Sequence, residues 1–469
     1  MVKIKFRNVL ILCLLLSLIC FSGIPIIGRG SEFDGIEFNI TDTRANNYTM
    51  GHQYGPSVCR LTNETMALVW ESYEQEGGGL GYGIYGTVID ITTAKNITAE
   101  FRVNDYTTDN QRIASICTLS SDTVAIAWSS MGQDGDWYGV YTKVFNVMTN
   151  TSITPELQVN EYTLGSQHEP SICALSEDSF AIAWNSNQDA GSYNVYARVY
   201  NATTGNPITG EFRVNNCTTI GLRPSICKLT QDSFAVSWES TSQDGDGYGV
   251  FGVVIDADTG NNATKEFQIN YYTTSDQEDS DICALDNENI AVAWNSFGQD
   301  GDYRGVYATV IDITTGNNIT AELQMNEVTW NFQQKPSICA LSSDLFIVAW
   351  ESVLQDGDGY GIYMKAIDVT TGTSINSEYP VNNYTTGNQW HSAICALSNK
   401  GVTIVWESEG QDGDGYGIYF STATLVSSIS NGNGKSTSIP GFEFYIMMSA
   451  IGLSITVILR KSQKKKNNY

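Results

Sequence analysis

Histidine is nearly absent from this 469-residue chain: His52, His168 and His391 are the three it has, and they share no common spacing. That excludes a histidine metal set repeated along the sequence. Positive charge is scarce as well, with 25 Lys and Arg against 51 Asp and Glu, a net charge of −26. Nine of the basic residues fall in residues 1–30 or 460–469 and one acid, Glu443, in the apolar stretch 442–459, which leaves 16 basic against 50 acidic residues, about −34. A field of that sign repels nucleic acid and anionic lipid headgroups and attracts cations. It also keeps a protein soluble at high salt. Helical periodicity is missing between the two ends. So are HExxH, GxSxG and a P-loop. No catalytic constellation is legible, and the expected reading is a protein that is not an enzyme.

What the chain does have is one sentence written seven times. Its register mark is Trp70, Trp128, Trp184, Trp238, Trp294, Trp350 and Trp406, at spacings of 58, 56, 54, 56, 56 and 56. A cysteine stands eleven residues before each: Cys59, Cys117, Cys173, Cys227, Cys283, Cys339 and Cys395. A Gln-Asp-Gly-Asp-Gly-Tyr-Gly type loop follows each tryptophan. Such a unit cannot bury its apolar faces alone.

The copy from Pro224 to Tyr271 divides into four short strands, a to d. Ser225–Leu229 is an apolar run closed by a turn. Phe234–Glu239 alternates with a period of two, Tyr248–Asp256 is rich in β-branched and aromatic residues, and Glu266–Asn270 follows an Asp-Thr-Gly-Asn-Asn turn. Repeated four-stranded antiparallel units are the blades of a β-propeller. A β-solenoid is the rival. The ends of the chain argue for closure: the last copy stops after its third strand, and a lone Glu37–Ile40 (EFNI) precedes the first. An N-terminal strand that completes the last blade hides both edges of the array. The fold expected is an all-β seven-bladed propeller spanning 31–426, with the b–c loops and the d-to-a connections sharing one face.

Residues 1–30 read as a signal peptide, with Lys3, Lys5 and Arg7 before an apolar run. A Ser/Gly/Asn linker (427–441) leads to a second apolar stretch (442–459), expected as a C-terminal transmembrane helix, and a basic tail (460–469). These place the propeller outside the cell on a membrane anchor. Among the Asn-x-Ser/Thr sequons, Asn96, Asn150, Asn201, Asn262 and Asn318 fall on c–d turns and Asn63 on an a–b turn, all on the face away from the acidic loops.

Seven equivalent cysteines cannot all pair with one another, and each lies in an apolar strand slot; they read as small buried hydrophobes. Cys217 is outside the pattern, with pairing to a nearby cysteine left open. The acidic loops are the best chemical candidates: Asp134 and Asp136, Asp244 and Asp246, Asp300 and Asp302, Asp356 and Asp358, Asp412 and Asp414. Asp-x-Asp around a glycine supplies oxygens to calcium, and Asp-Gly is equally the chemistry of a tight turn. Both readings stand. Specificity would come from departures from the repeat on that face: Trp137, Tyr303, Arg304, Trp330, Phe332 and Trp390.

Units reading PSI-C-AL…FAVAWES…QDGDGYGVY…EFxVNxYTTxxQ resemble the propeller-like, calcium-binding adhesin-type repeats of bacterial and archaeal surface proteins. The Ser/Thr-containing linker, Pro440-Gly441-Phe442, apolar span and Lys-rich end resemble the PGF-type C-terminal sorting signals of archaeal surface proteins, in which the tail is replaced by a lipid; a plain transmembrane anchor is the other reading. The resemblance implies adhesion or binding of a surface protein or glycan, with calcium as the one cofactor in view. Glycan- or peptide-processing and a purely structural envelope role are the alternatives.

Overall fold

The computed structural model describes residues 35–75, 81–189, 192–216, 219–398, 401–426, 442–447 and 456–461. Residues 35–426 form a seven-bladed propeller of antiparallel sheets. In the first blade strand a is Gln53–Arg60, strand b Thr65–Tyr73 and strand c Tyr82–Asp90. The fourth strand is broken into Lys95–Asn96 and Phe101–Arg102, both paired to strand c. The a strands touch one another round the ring, and the seventh blade's Gln389–Ala396 meets Gln53–Arg60.

The outer strand is short because side chains finish its ladder. Val88 N–H donates to Thr98 Oγ1 (3.0 Å) and Ile84 N–H to Asn104 Oδ1 (2.8 Å). In the fourth blade only Phe267–Gln268 of the expected Glu266–Asn270 is strand, with Thr264 and Asn270 filling the same two roles. An outer edge this short and polar offers little to a stray strand. Strand a, conversely, starts earlier than Ser225: it runs Gly221–Thr230 through a bulge.

Every register tryptophan is fully buried. Each packs against the preceding blade: Trp128 joins Val69, Ile84, Val88 and Phe101 of blade 1, and Trp70 joins Val405, Ile418 and Phe420 of blade 7. Deleting one such ring would cost roughly 3–5 kcal/mol. The seven repeat cysteines are free thiols, five buried and Cys283 and Cys395 half-buried. Burial pushes the Cys59 thiol up to about 12, as befits an inert apolar filler.

The N-terminal strand closes the ring as expected, and Glu37–Ile40 lies in it opposite Thr422–Thr424, but the strand runs on past EFNI. Gly35–Arg44 pairs with Tyr416–Val426, and the residues standing where other blades have EFRVN are Asp42 to Asn46, not Glu37–Ile40. Asn46 Oδ1 accepts the Ile418 N–H at 2.8 Å, as Asn104 does for Ile84. Asp42 accepts the N–H of Asn383 (2.9 Å), the bond that Glu378 makes to Glu327 N–H at 2.6 Å one blade earlier. The bonding carboxylate and amide, rather than the letters E and F, define the slot.

The expected C-terminal transmembrane helix is not found. Phe442–Met447 and Thr456–Lys461 are antiparallel strands paired with each other, and no helix among the described residues is long and apolar enough to cross a membrane. The β-branched run Thr456-Val457-Ile458 suits an extended chain. The rest of the span, the linker 427–441, residues 1–34 and Cys217 lie outside the described residues.

Candidate functional site

On the face shared by the b–c loops and d–a connections, two concentric sets of residues surround the central channel. The outer set is the acidic loops. The second aspartate of each intact loop clasps the following connection: Asp136 Oδ2 accepts from Gly165 N–H (2.8 Å), Asp246 from Ser275 (3.1 Å) and Asp302 from Asn331 (3.1 Å). Asp358 takes Gly387 N–H (3.0 Å) and Asp414 takes Gly51 N–H (3.1 Å). The first aspartate holds the strand-d asparagine of its own blade, as Asn160 Nδ2 donates to Asp134 (3.0 Å), Asn270 to Asp244 (2.9 Å) and Asn326 to Asp300 (2.9 Å). Partial burial lifts the Asp356 and Asp412 carboxyls above the usual range. No group of three or more His, Cys, Asp and Glu able to hold a metal ion is present among the described residues.

The inner set was not expected from the sequence. Two residues after the buried first residue of strand a, every blade bulges: Tyr54 opposes Glu71 and Ser57 opposes Val69, so two residues face one. The first bulged residue is left-handed in all seven blades: Gly55 (φ 53°), Ile113 (56°), Glu169 (56°), Arg223 (49°), Asp279 (53°), Lys335 (50°) and His391 (47°). Six are not glycine, although glycine alone takes this conformation without strain. Their side chains ring the mouth of a funnel of about 900 Å³.

Beneath the ring, strand b contributes a residue that receives the strained N–H of the next blade. Glu71 accepts Ile113 N–H (2.7 Å), Glu351 accepts His391 N–H (2.7 Å), Glu407 accepts Gly55 N–H (2.8 Å), and Glu239 accepts Asp279 N–H. In other blades the acceptors are Ser129, for Glu169 N–H, and Asn295, for Lys335 N–H. These glutamates are almost wholly buried. Burial raises Glu71 and Glu351 above their ordinary values. It pushes Glu239 up to about 8, against the pull of Arg223 and with a further push from Asp279.

Each cation of the funnel is already engaged. Arg112 pairs with Glu71 (2.8 Å) and lies over the Tyr82 ring (4.9 Å). Arg223 bridges Glu239 (3.2 Å) and Asp279 (3.1 Å). Lys335 Nζ is 2.6 Å from His391 Nε2, and His391 Nδ1 is 2.8 Å from Glu407 Oε1. Burial opposes the imidazolium, but the Glu407 bond and charge outweigh it and hold His391 above its ordinary value.

Across from Glu169, Arg223 and Asp279, the funnel wall is aromatic. Trp390 stacks on Tyr416 (6.0 Å between centroids) and meets Tyr360 edge-on (5.5 Å). Tyr416 and Tyr82 flank Tyr54 at 5.2 and 5.8 Å. Of the residues expected to confer specificity, Trp390 lines this funnel and Trp137 lines a cleft beside it. The others do not join it: Tyr303 is stacked on Phe332 (4.8 Å), Arg304 is paired with Glu278 (2.6 Å), and Trp330 stands half-exposed in the sixth connection.

The sequon asparagines lie on the opposite face. Asn63 and Asn150 are exposed; Asn201 Oδ1 caps its own turn through Thr204 N–H (2.9 Å), and Asn262 bridges to Ile255. Asn96 Nδ2 donates to Ala45 O (2.9 Å) and Asn318 Nδ2 to Ile269 O (3.2 Å), so a glycan on either would displace an inter-blade bond.

No family model matches the chain, and no curated protein matches it in sequence. Solved structures are similar in fold. An α-L-arabinanase of Penicillium chrysogenum complexed with arabinobiose is 14% identical over 72% of this chain and 100% of its own (TM-score 0.47). A protein of unknown function from Dyadobacter fermentans is 9% identical over 83% and 99% (TM-score 0.48). The GH93 α-L-arabinofuranosidase of Fusarium graminearum is 14% identical over 74% and 98% (TM-score 0.43). Likeness at this level carries no argument about this chain.

Proposed function

We propose that this protein binds a neutral carbohydrate in the mouth of its central channel, on the outer surface of a cell. The observation that carries the reading is the two-sided funnel. Tyr54, Tyr82, Trp390 and Tyr416 form one wall, and hydrogen-bonding groups of Glu169, Arg223 and Asp279 form the other. Sugar rings ask for both: an apolar face to stack and hydroxyls to be held. The funnel volume of about 900 Å³ is that of a small-molecule site, roughly 300–1,000 Å³. Its arginines are engaged by carboxylates, and the net charge of −26 works against polyanions. The test is calorimetry of the full chain against a panel of neutral oligosaccharides. Trp390→Ala should weaken binding about tenfold, the scale of a truncated hot spot, with the melting temperature kept. Equal affinity before and after would refute the site.

A second reading is favoured by one observation. A carboxyl with its pKa at about 8, beside Asp279, is protonated near neutrality and so is equipped to act as a general acid on a glycosidic bond. Its 1% exposure places this reading second. Incubation of the same panel with the full chain, followed by mass analysis, decides it: product formed by the wild type and lost in Glu239→Gln would make the protein a hydrolase.

A further inference from the structure

We infer that the carbohydrate is a chain, and that it leaves the funnel through a cleft between blades 2 and 3, where Trp137 is an outer stacking platform. This rests on the carbohydrate reading of the funnel.

The cleft, about 510 Å³, is lined by Arg112, Trp137, Tyr138, His168, Asn187 and Tyr193. Arg112 and Ile113 line the funnel as well, so the two spaces adjoin at these residues. Two departures from the repeat create it. The first is blade 3, whose b and c strands extend to pair Asp189 with Ser192 and whose sequence lacks the Gln-Asp-Gly-Asp of blades 2 and 4 to 7. The second is Trp137 itself. At the equivalent position in blades 4, 6 and 7 stand Gly247, Gly359 and Gly415, with φ between 38° and 52°. A Cβ on Gly247 would lie 2.6 Å from Ser275 O, and Gly359 and Gly415 are shut in likewise by the backbone of the next connection. Blade 1 has Gly81 there, again against a backbone oxygen, that of Asp109 (2.6 Å).

Trp137, Tyr303 and, in blade 3, Ser192 break that rule among the described residues, and the two aromatics differ in what covers them. Tyr303 is stacked on Phe332. Trp137 is 63% exposed, with no ring packed on it among the described residues. An indole left open beside a cleft that adjoins a sugar-sized funnel fits the second or third ring of an extended glycan.

The test is a ladder of neutral linear oligosaccharides of one to six residues, in gluco, manno and arabino series, titrated into the full chain. Affinity should rise about tenfold between the shortest and longest members of a binding series, and Trp137→Ala should erase that rise while leaving the shortest member unchanged. Trp390→Ala should weaken every member. A flat ladder in the wild type, or Trp137→Ala leaving the rise intact or weakening all lengths equally, would overturn the exit path and spare the funnel. No binding in any series would overturn the carbohydrate reading, and the exit path with it.

Discussion

The acidic rim recurs in five blades and the funnel ring in all seven, and they use their repetition in opposite ways. In the rim the side chains are nearly identical from blade to blade, and their carboxylates are spent on neighbouring backbone: Asp136, Asp246, Asp302, Asp358 and Asp414 make the same clasp. In the ring the backbone is identical and the side chains are Gly, Ile, Glu, Arg, Asp, Lys and His. Sameness marks groups that the scaffold consumes. Variation on a fixed, strained backbone marks groups free to differ because the fold does not need them, which is where a ligand can be read. The glutamates under the ring belong with the scaffold, since they hold its bulges in place.

The largest effect that would sharpen this division is at Glu239. Glu239→Ala removes the acceptor of the Asp279 N–H and a hydrogen-bond partner of Arg223, and should cost about 2 kcal/mol, the scale for leaving a buried donor unpaired. Glu239→Gln keeps an acceptor oxygen and should cost much less. The two also separate by pH. The folded carboxyl holds its proton up to about 8, whereas the ordinary value is 4.5, so the folded state binds the proton more tightly. The resulting stability is full below 4.5, declines as pH rises, and is gone above about 8. Melting temperatures across that window should fall in the wild type and fall less steeply in Glu239→Gln. A slope unchanged by the substitution would show that Glu239 titrates normally.

A smaller effect is expected in the rim. Asp358→Ala should lose about 1 kcal/mol, for one exposed charge-assisted bond to Gly387, and carbohydrate affinity should not change. Chelation of divalent metal should leave the melting temperature where it was, because the loop closes through Gly357 N–H to Leu354 O (3.1 Å) and Leu354 N–H to Gly359 O (2.7 Å). A rise in stability on adding calcium, abolished in Asp358→Ala, would make the rim a metal site and break the division.

The blades were legible because Trp, Cys and Gln-Asp-Gly recur at nearly fixed spacing. The ring was not, for two physical reasons. A repeat reading treats a variable position as noise, and here the variable residue after Gln-x carried the information. The alternation of Phe234–Glu239 also suggests that Glu239 points to solvent. Strand b, however, is covered on both faces by the neighbouring blades, so its whole interior is buried and the period of two says nothing about exposure. Closure was legible too, though EFNI copies the letters of the d strand while Asp42 and Asn46 supply its bonds.

The smallest prediction goes to the strain itself. Ile113 is β-branched, 42% exposed and left-handed, so its side chain gains little from packing while its Cβ crowds the backbone. That conformation costs roughly 1–2 kcal/mol for a residue other than glycine. Ile113→Gly relieves it but gives the unfolded chain more freedom, worth roughly 0.5–1 kcal/mol in the other direction. The expected net is a gain of about 0.5 kcal/mol on those figures. Gly55→Ala asks the reverse at the same place in blade 1. The added Cβ would sit 3.4 Å from Glu71 Oε1, so it meets no backbone, and a net loss of about 0.5 kcal/mol is expected, the strain less what the stiffer unfolded chain returns. Chemical denaturation of the two variants measures both. Opposite signs would show that the ring keeps its shape against local preference, held by Glu71 and Glu407 from below. Destabilisation by Ile113→Gly well beyond 1 kcal/mol would make the isoleucine a packing residue and return that ring position to the scaffold.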